Sequence, residues 1–485
     1  MRILYITILV GFAINARAEL VGDTLKLTLQ EVVHKAKSNS IAAKQAITVR
    51  ETKYWEWRTF KSDYQPQLAL SGVLPGYNKT YAQVLQPNGT ILFQPIHNDN
   101  SSLTLDFKQS IAATGGTIYG TTELQRFSDF DRNNVLYNGT PYGLGYTQPL
   151  LQYNELKWNK KIEPLKFEES KQAYIESQEQ ISITVTGYFF DLLLAQVNLL
   201  IAETNYTNTG KILTIADTKF ELGKVAKNEI LQLQLERLNA QKAVGTAKRD
   251  LEIATLNLKS YTGIEGDDRI VLTVPKGVGQ FNVPADRVLT EAFENRSDAI
   301  AFARRIAEAK RDVAKAKGEN GLVATLRANL GFSNAANNLL DVYRSPKSQQ
   351  SVQIQLSIPV LDWGRSKSRT KTAQAIEQFT VYEVEQDKQT FKQEIITQVT
   401  LFDMMKEQME LTQQADRIAS EKYQIASERY VLGNLSITDL SIAFQESDRA
   451  KRDYVASLRD FWGAYYQLRF LSLYDFEKNE KITYK

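Results

Sequence analysis

Residues that could do acid–base or metal chemistry are present, but they are not arranged for it. The chain has no cysteine and two histidines, His34 and His97. That leaves no disulfide framework, no thiolate metal site and no cysteine nucleophile, and little for metal chemistry to use. His34 falls in a helix-forming stretch and His97 in a polar loop, and each reads as a solvated or locally satisfied residue. Carboxylates are plentiful, with 56 Asp and Glu, yet none stands with a nucleophile or base in a reactive constellation. They read as solvated helix faces, so no catalytic residue, cofactor site or metal site is assigned. The sharpest local pattern is conformational. Ser436-Ile-Thr-Asp439 has capping-box spacing, with the serine capping a new helix and the acid reaching back. Gly433 stands just ahead of it, able to take the left-handed conformation that ends the previous helix.

The same pattern occurs twice. Residues 215–230, IADTKFELGKVAKNEI, read against residues 425–440, IASERYVLGNLSITDL, at an offset of 210. That offset also pairs Pro149-Leu-Leu151 with Pro359-Val-Leu361, and Leu258 with Leu468. Further back, Leu29 pairs with Leu289 at an offset of 260 and Leu68 with Leu326 at 258. The fall from 258 to 210 places 48 extra residues in the first copy, between Gly72 and Pro149. Fixed self-similarity of this kind marks a duplicated architecture. The expected division is a first repeat at 19–263, with strands at about 65–150 and a helical hairpin at 151–263. A linker at 264–284 leads to a second repeat at 285–472, with strands at about 323–363 and a hairpin at 364–472. A tail at 473–485 follows.

The first eighteen residues have the form of a secretory signal: Arg2, an apolar run from Ile3 to Phe12, and Ala16-Arg17-Ala18 as a small-x-small cleavage site. The run is too short to span a bilayer. Lys and Arg number 59 against the 56 acids, a near balance that gives no reason to expect a nucleic-acid partner. The most apolar later stretch, Tyr188–Ala202, is broken by Asp191, Gln196 and Asn198, and reads as a helix buried in protein.

Helical patterning covers most of the chain, at about Thr28–Lys61, Glu163–Thr207, Asn228–Tyr261, Arg287–Lys317, Ser366–Ser427 and Thr438–Ser472. Ala240, Val244, Ala247, Leu251, Ala254 and Leu258 follow the alternating four-and-three steps of a coiled-coil seam, although an ordinary helix core would look much the same. The 74 residues from Pro149 to Gly223, matched from Pro359 to Gly433, would extend roughly 110 Å as helix. Strands are expected in two islands. In residues 351–358, Val352, Ile354, Leu356 and Ile358 alternate with Ser351, Gln353, Gln355 and Ser357. Its partner is expected at Thr325–Ser333, across a polar loop from Asn334 to Gln350. The first-copy equivalents are about Gln67–Leu74 and Tyr142–Gln148. The insertion adds strand-like text at Ser102–Ile111 and Gly116–Phe127, either an extra hairpin or an elaborated outer loop. Asn78, Asn88, Asn100 and Asn138, each in an Asn-x-Ser/Thr triplet, read as turn residues.

A half-buried soluble sheet and a membrane barrel share this period of two. Trp55, Trp57, Tyr64, Trp158 and Trp363 flank the strand islands on the helix side, where an interfacial girdle falls. With export and no spanning helix, they favour the barrel. Val352, Ile354, Leu356 and Ile358 then face lipid, and Gln353, Gln355 and Ser357 face the lumen. Trp55, Trp57 and Trp363 sit at the interface.

The two tips, with Leu356-Ser-Ile-Pro-Val-Leu-Asp-Trp-Gly364 and Gln148-Pro-Leu-Leu151, resemble the outer membrane efflux protein family, the TolC-like exit ducts of Gram-negative bacteria. The resemblance covers nearly all of the mature chain. It implies a mainly α protein with a small transmembrane β-barrel: a homotrimer with one 12-stranded barrel, each chain giving two strand pairs, and a long α-helical tunnel through the periplasm. It further implies docking of a periplasmic adaptor protein, and through it an inner-membrane pump, at Leu222, Gly223, Glu229, Leu432, Gly433, Ser436 and Asp439. Ala226, where the second tip has Ser436, departs from the pattern, and the insertion departs from the shortest family members. The expected function is a passive, gated outer-membrane duct of a tripartite efflux or type I secretion system. The alternative is a periplasmic coiled-coil spacer or adaptor with a soluble sheet domain. A secreted hydrolase is the third reading, and it lacks a site.

Overall fold

The protein is described here from a computed structural model covering residues 24–223, 225–266, 268–275, 283–432 and 434–484. The expected signal at 1–18 lies outside the described residues, as does part of the expected linker.

The duplication is visible in element lengths. The first copy runs through strand β1 (Thr24–Leu27) and helices α1 (Leu29–Asn39) and α2 (Ile41–Asp63) to strands β2 (Gln67–Val73), β3 (Tyr77–Leu85), β4 (Ile91–Ile111), β5 (Gly116–Asp129) and β6 (Asn134–Leu150). It ends in helices α3 (Glu155–Glu221) and α4 (Lys227–Thr262). The second copy has strand β7 (Arg269–Leu272), helices α5 (Ala285–Asn295) and α6 (Ser297–Glu319), strand β8 (Val323–Ala336), helix α7 (Leu339–Arg344) and strand β9 (Lys347–Ser357). Helices α8 (Arg365–Val431) and α9 (Ile437–Ser472) complete it, and a small hairpin of β10 (Tyr474–Asp475) and β11 (Glu480–Lys481) follows. Helices α1 and α5 are each 11 residues long, α2 and α6 23, α3 and α8 67, and α4 and α9 36. At about 1.5 Å per residue, the longest pair are each roughly 100 Å of helix.

Two expected single helices are each two. The break at Ser40 is extended (ψ 152°), and its hydroxyl accepts the Ala43 N–H at 3.0 Å, capping α2. The matching break at Arg296 (ψ 147°) is held by Glu176, whose carboxylate accepts the Ser297 N–H and hydroxyl at 2.7 and 2.9 Å. Polar partners at these points outcompete the helical periodicity that runs through both.

The chain forms two compact units. The first takes in Met1–Lys44, Gln180–Gln280 and Phe402–Tyr466. Here β1 pairs in parallel with β7, so the starts of the two copies meet. Leu199 and Ala202 of α3 pack on Ala247, with Val244 and Leu251 beside it, which puts the small-residue seam between α3 and α4. An 18-residue window of α3, mean hydropathy 1.6, is apolar enough to cross a bilayer by composition. Val185, Phe189, Phe190, Leu192 and Leu193 in that region are nonetheless buried within protein. In the second hairpin Phe402 meets Phe461, and Thr412 bonds Ser457 at 2.5 Å.

The second unit takes in Gln45–Glu179, Phe281–Leu401 and Gln467–Lys485. It holds the main sheet, in the order β2-β4-β5-β6-β8-β9, with β3 also paired to β4. Trp57 stacks on Phe167 at 5.1 Å, Arg304 pairs with Glu169, and Arg305 with Asp387. The tail is tied down here, since Arg469 holds Asp475 and Tyr484 donates to Glu179, a fully buried carboxylate.

Several local expectations differ from this structure. His97 lies in β4, not in a loop. Its ring lies tilted against Phe130, with centroids 4.8 Å apart, and its Nε2 is 3.2 Å from the Tyr77 hydroxyl. Asn78, Asn100 and Asn138 lie in strands, and only Asn88 sits in a turn. The loop from Asn334 to Gln350 is mostly the end of β8, helix α7 and the start of β9. The inserted text is a long hairpin lying between β2 and β6 in the sheet.

Candidate functional site: an amphipathic sheet and paired hairpin tips

The sheet is built so that directly opposed residues share a face. One row crosses all six positions of the sheet: Leu68, Phe107, Gly120, Leu144, Leu330 and Gln350. Neighbouring rows on that face add Leu70 opposite Leu105, Ile118 opposite Tyr146, and Ala328 opposite Val352. Leu68, Leu70, Leu105, Phe107, Ile118, Leu144, Leu330, Val352 and Ile354 are all exposed to solvent, Val352 by 77%. An apolar sheet face of this extent, left uncovered, marks a surface for a membrane or another protein.

The other face is polar. The row one residue over reads Gln67, Lys108, Tyr119, Gly145, Asn329 and Ser351. The Tyr119 hydroxyl donates to Asn329 Oδ1, and Asn329 Nδ2 donates to Ser351 Oγ at 3.3 Å. A Cβ on Gly145 would lie 2.1 Å from the Tyr119 ring, so glycine there lets tyrosine reach across β6. Gln353 and Gln355 fall on this face, opposite Arg327 and Thr325, and Ser357 lies opposite Val323. Val352, Ile354 and Leu356 fall on the apolar face, while Ile358 lies just beyond the end of β9.

At the sheet exits, side chains cap the long helices. Asp362 accepts the N–H groups of Gly364 and Ser366 at 3.0 and 2.9 Å and the Ser366 hydroxyl, which holds its pKa below the usual carboxylate range. Asn154 does the same for α3, taking the Lys157 N–H at 3.0 Å. Trp363 beside the cap is 89% exposed, and Trp55 is also exposed. Trp57, expected with them, is partly buried and lies against Phe60, Phe167 and the Lys61 ammonium.

The hairpin tips both belong to the first unit. In the first, Gly223 has φ 69°, with its N–H bonded to the Phe220 carbonyl at 2.8 Å, and Leu222 is 66% exposed. Ala226 is the N-cap of α4 and makes no side-chain cap bond. In the second, Leu432 is 74% exposed, and the Asn434 N–H reaches the Arg429 carbonyl at 2.9 Å. Gly433 lies outside the described residues. The Asp439 N–H donates to Ser436 Oγ at 3.1 Å, and that hydroxyl donates to Asp439 Oδ2 at 2.7 Å. The acid thus reaches back to the hydroxyl.

The tips pack on one another. Ile212 touches the cluster of Leu213, Ala216, Ile230 and Leu233 and also that of Ala426, Tyr430, Leu440 and Ala443. Lys219 Nζ lies 5.4 Å from the Tyr430 ring, and burial pushes the Tyr430 hydroxyl pKa up, reinforced by the Glu229 charge. The Glu229 charge therefore reaches Tyr430 of the other tip. Sequence spacing paired the tips by likeness, but gave no sign that Ile212 joins them. The apolar alternation in Leu103, Leu105 and Phe107 was readable at a period of two, and would have marked β4 as part of the same face as β9.

Residues 288–472 match the family model described as Outer membrane efflux protein. That match covers the later part of the chain and shows a likeness to the family there. The chain's fold is that of solved outer-membrane channels. The Campylobacter jejuni CmeC outer membrane channel aligns over 94% of this chain and 87% of its own, with TM-score 0.65 and 16% identity. The Vibrio cholerae outer membrane protein VceC aligns over 94% and 97%, with TM-score 0.61 and 14% identity. The open state of the Neisseria gonorrhoeae MtrE outer membrane channel aligns over 94% and 91%, with TM-score 0.52 and 15% identity. No curated protein matches the sequence. Within the single chain the sheet is open, with β2 and β9 at the ends of its path.

Proposed function

We propose that this protein is the outer-membrane exit duct of a tripartite efflux or type I secretion system, a passive gated channel that does no chemistry on its cargo. The observation that carries this is the sheet, with an uncovered apolar face across all six positions and a hydrogen-bonded polar face behind it. Lipid on one side and a wet lumen on the other satisfy both faces at once. A periplasmic spacer would leave the apolar face in water, at a cost of roughly 25 cal/mol per Å².

In this reading the chain works as a homotrimer in the outer membrane and reaches into the periplasm. A periplasmic adaptor docks at Leu222, Gly223, Glu229, Leu432, Gly433, Ser436 and Asp439, and an inner-membrane pump drives the cargo. Leu222 and Leu432 supply exposed apolar knobs, and Glu229 and Asp439 supply charge. Because Ile212 packs both tips together, docking at one tip moves the other, and the helices below shift as a pair to open the lumen.

The test uses the absence of cysteine. Asn434→Cys, carrying a photo-crosslinker in living cells, should capture a periplasmic adaptor, with the protein staying in carbonate-washed membranes. Release of the protein by the wash, with crosslinks only to unrelated soluble proteins, would replace the duct with the spacer.

A further inference from the structure

We infer that the barrel closed by three copies of this chain has eighteen strands, six from each, with β2 of one copy pairing with β9 of the next. The inference rests on the exit-duct reading and concerns only how that duct is built. The resemblance to the family implies four strands from each chain. The sheet described here places six in series, because the hairpin of β4 and β5 lies between β2 and β6. Strands β2 and β3 count as one position, since both pair with the same edge of β4, β3 with residues 91–99 and β2 with residues 102–108.

Three features argue that the added hairpin belongs to the barrel wall. Its pairing is continuous: β4 and β5 pair from Ile111 and Gly116 through to Asn98 and Asp129, and β5 pairs with β6 over nearly the same length. The apolar row runs through it without interruption, as Phe107 and Gly120 stand between Leu68 and Leu144. The polar row is tied across it too, since Tyr119 of β5 bonds Asn329 of β8 over Gly145. A loop lying on water would have no reason to keep the lipid face of its neighbours.

Closure follows from the edges. Within the chain, β2 and β9 end the path, and both are exposed along their whole length. Lipid offers no partner for their backbone groups, so a spanning sheet must close. Strand β2 leads away from α2 and β9 leads back to α8, so the two edges are antiparallel. An even number of positions per chain lets the alternation continue from copy to copy, and a second copy of this chain is the occupant of each edge.

The consequence is a wider exit. With strands about 4.8 Å apart and tilted about 40°, eighteen strands give a backbone diameter of about 36 Å and twelve about 24 Å. Gln353→Cys, and separately Gln355→Cys, would be spin-labelled in trimers in lipid nanodiscs, and the distances between labels measured by pulsed electron resonance. Three equivalent labels on the wider wall stand about 31 Å apart, against about 21 Å on the narrower one, both shortened a little by the label. A distance near the larger value supports eighteen strands. A distance near the smaller value overturns it and puts the β4–β5 hairpin outside the wall, leaving the duct intact. A monomer with no distance between labels, washed from membranes by carbonate, overturns the exit-duct reading itself.

Discussion

Arginine placed at neighbouring positions of one strand separates a lipid-facing sheet from a soluble one. Val352 and Gln353 are adjacent in β9, both exposed in the single chain, and lie on opposite faces. If water covers both faces, Val352→Arg and Gln353→Arg should each change stability by no more than about 0.5 kcal/mol, as exposed substitutions do. If the Val352 face meets lipid, its arginine costs about 2–4 kcal/mol near the bilayer middle, and the lumen arginine costs little. That is a loss of about 30- to 900-fold in the folding equilibrium, confined to one of two adjacent residues. Leu105→Arg, set against Thr104→Arg, asks the same of the inserted strand β4, because Leu105 lies opposite Leu70 on the apolar face. The assay is reversible urea unfolding from lipid vesicles, followed by the gel shift between folded and unfolded barrel. Equal, small effects at 352 and 353 would refute the assignment of faces. A penalty at 352 without one at 105 would refute only the place of the hairpin.

Three further outcomes are expected. Ser436→Ala should cost about 1 kcal/mol at the start of α9, because Ser436 Oγ accepts the Asp439 N–H, and Ala226→Ser should recover part of that at α4, both read by hydrogen exchange at the tips. Asp448, its carboxyl pushed up to about 6 by burial against the opposing pull of Arg452, binds its proton more tightly folded than unfolded. Stability should therefore fall as pH rises from about 4 to about 6, and Asp448→Asn should remove that slope in melts across this range. Gly145→Ala should drive the Tyr119 ring off β6 and break its bond to Asn329. The thermal melting temperature of the protein should drop by more than for Tyr119→Phe, which removes only the hydroxyl.

The residues by themselves determined what is local and repeated. Both copies carry a glycine, a turn and a new helix start at a constant spacing, and the four pairs of matching helices agree in length to the residue. The period of two in Val352, Ile354 and Leu356 marked a sheet with unlike faces, because alternation is a property of one strand alone. Neighbours are not. Which strand lies beside β2 depends on hydrogen bonds between residues dozens of positions apart, and only the tertiary structure put β4 and β5 there. The breaks at Ser40 and Arg296 were hidden because helical periodicity continues through them. At Arg296 the deciding partner, Glu176, is 120 residues away from it in the chain. Ile212 looked like one more apolar helix residue, and its place against both tip clusters comes from packing between two hairpins that no spacing within either could reveal.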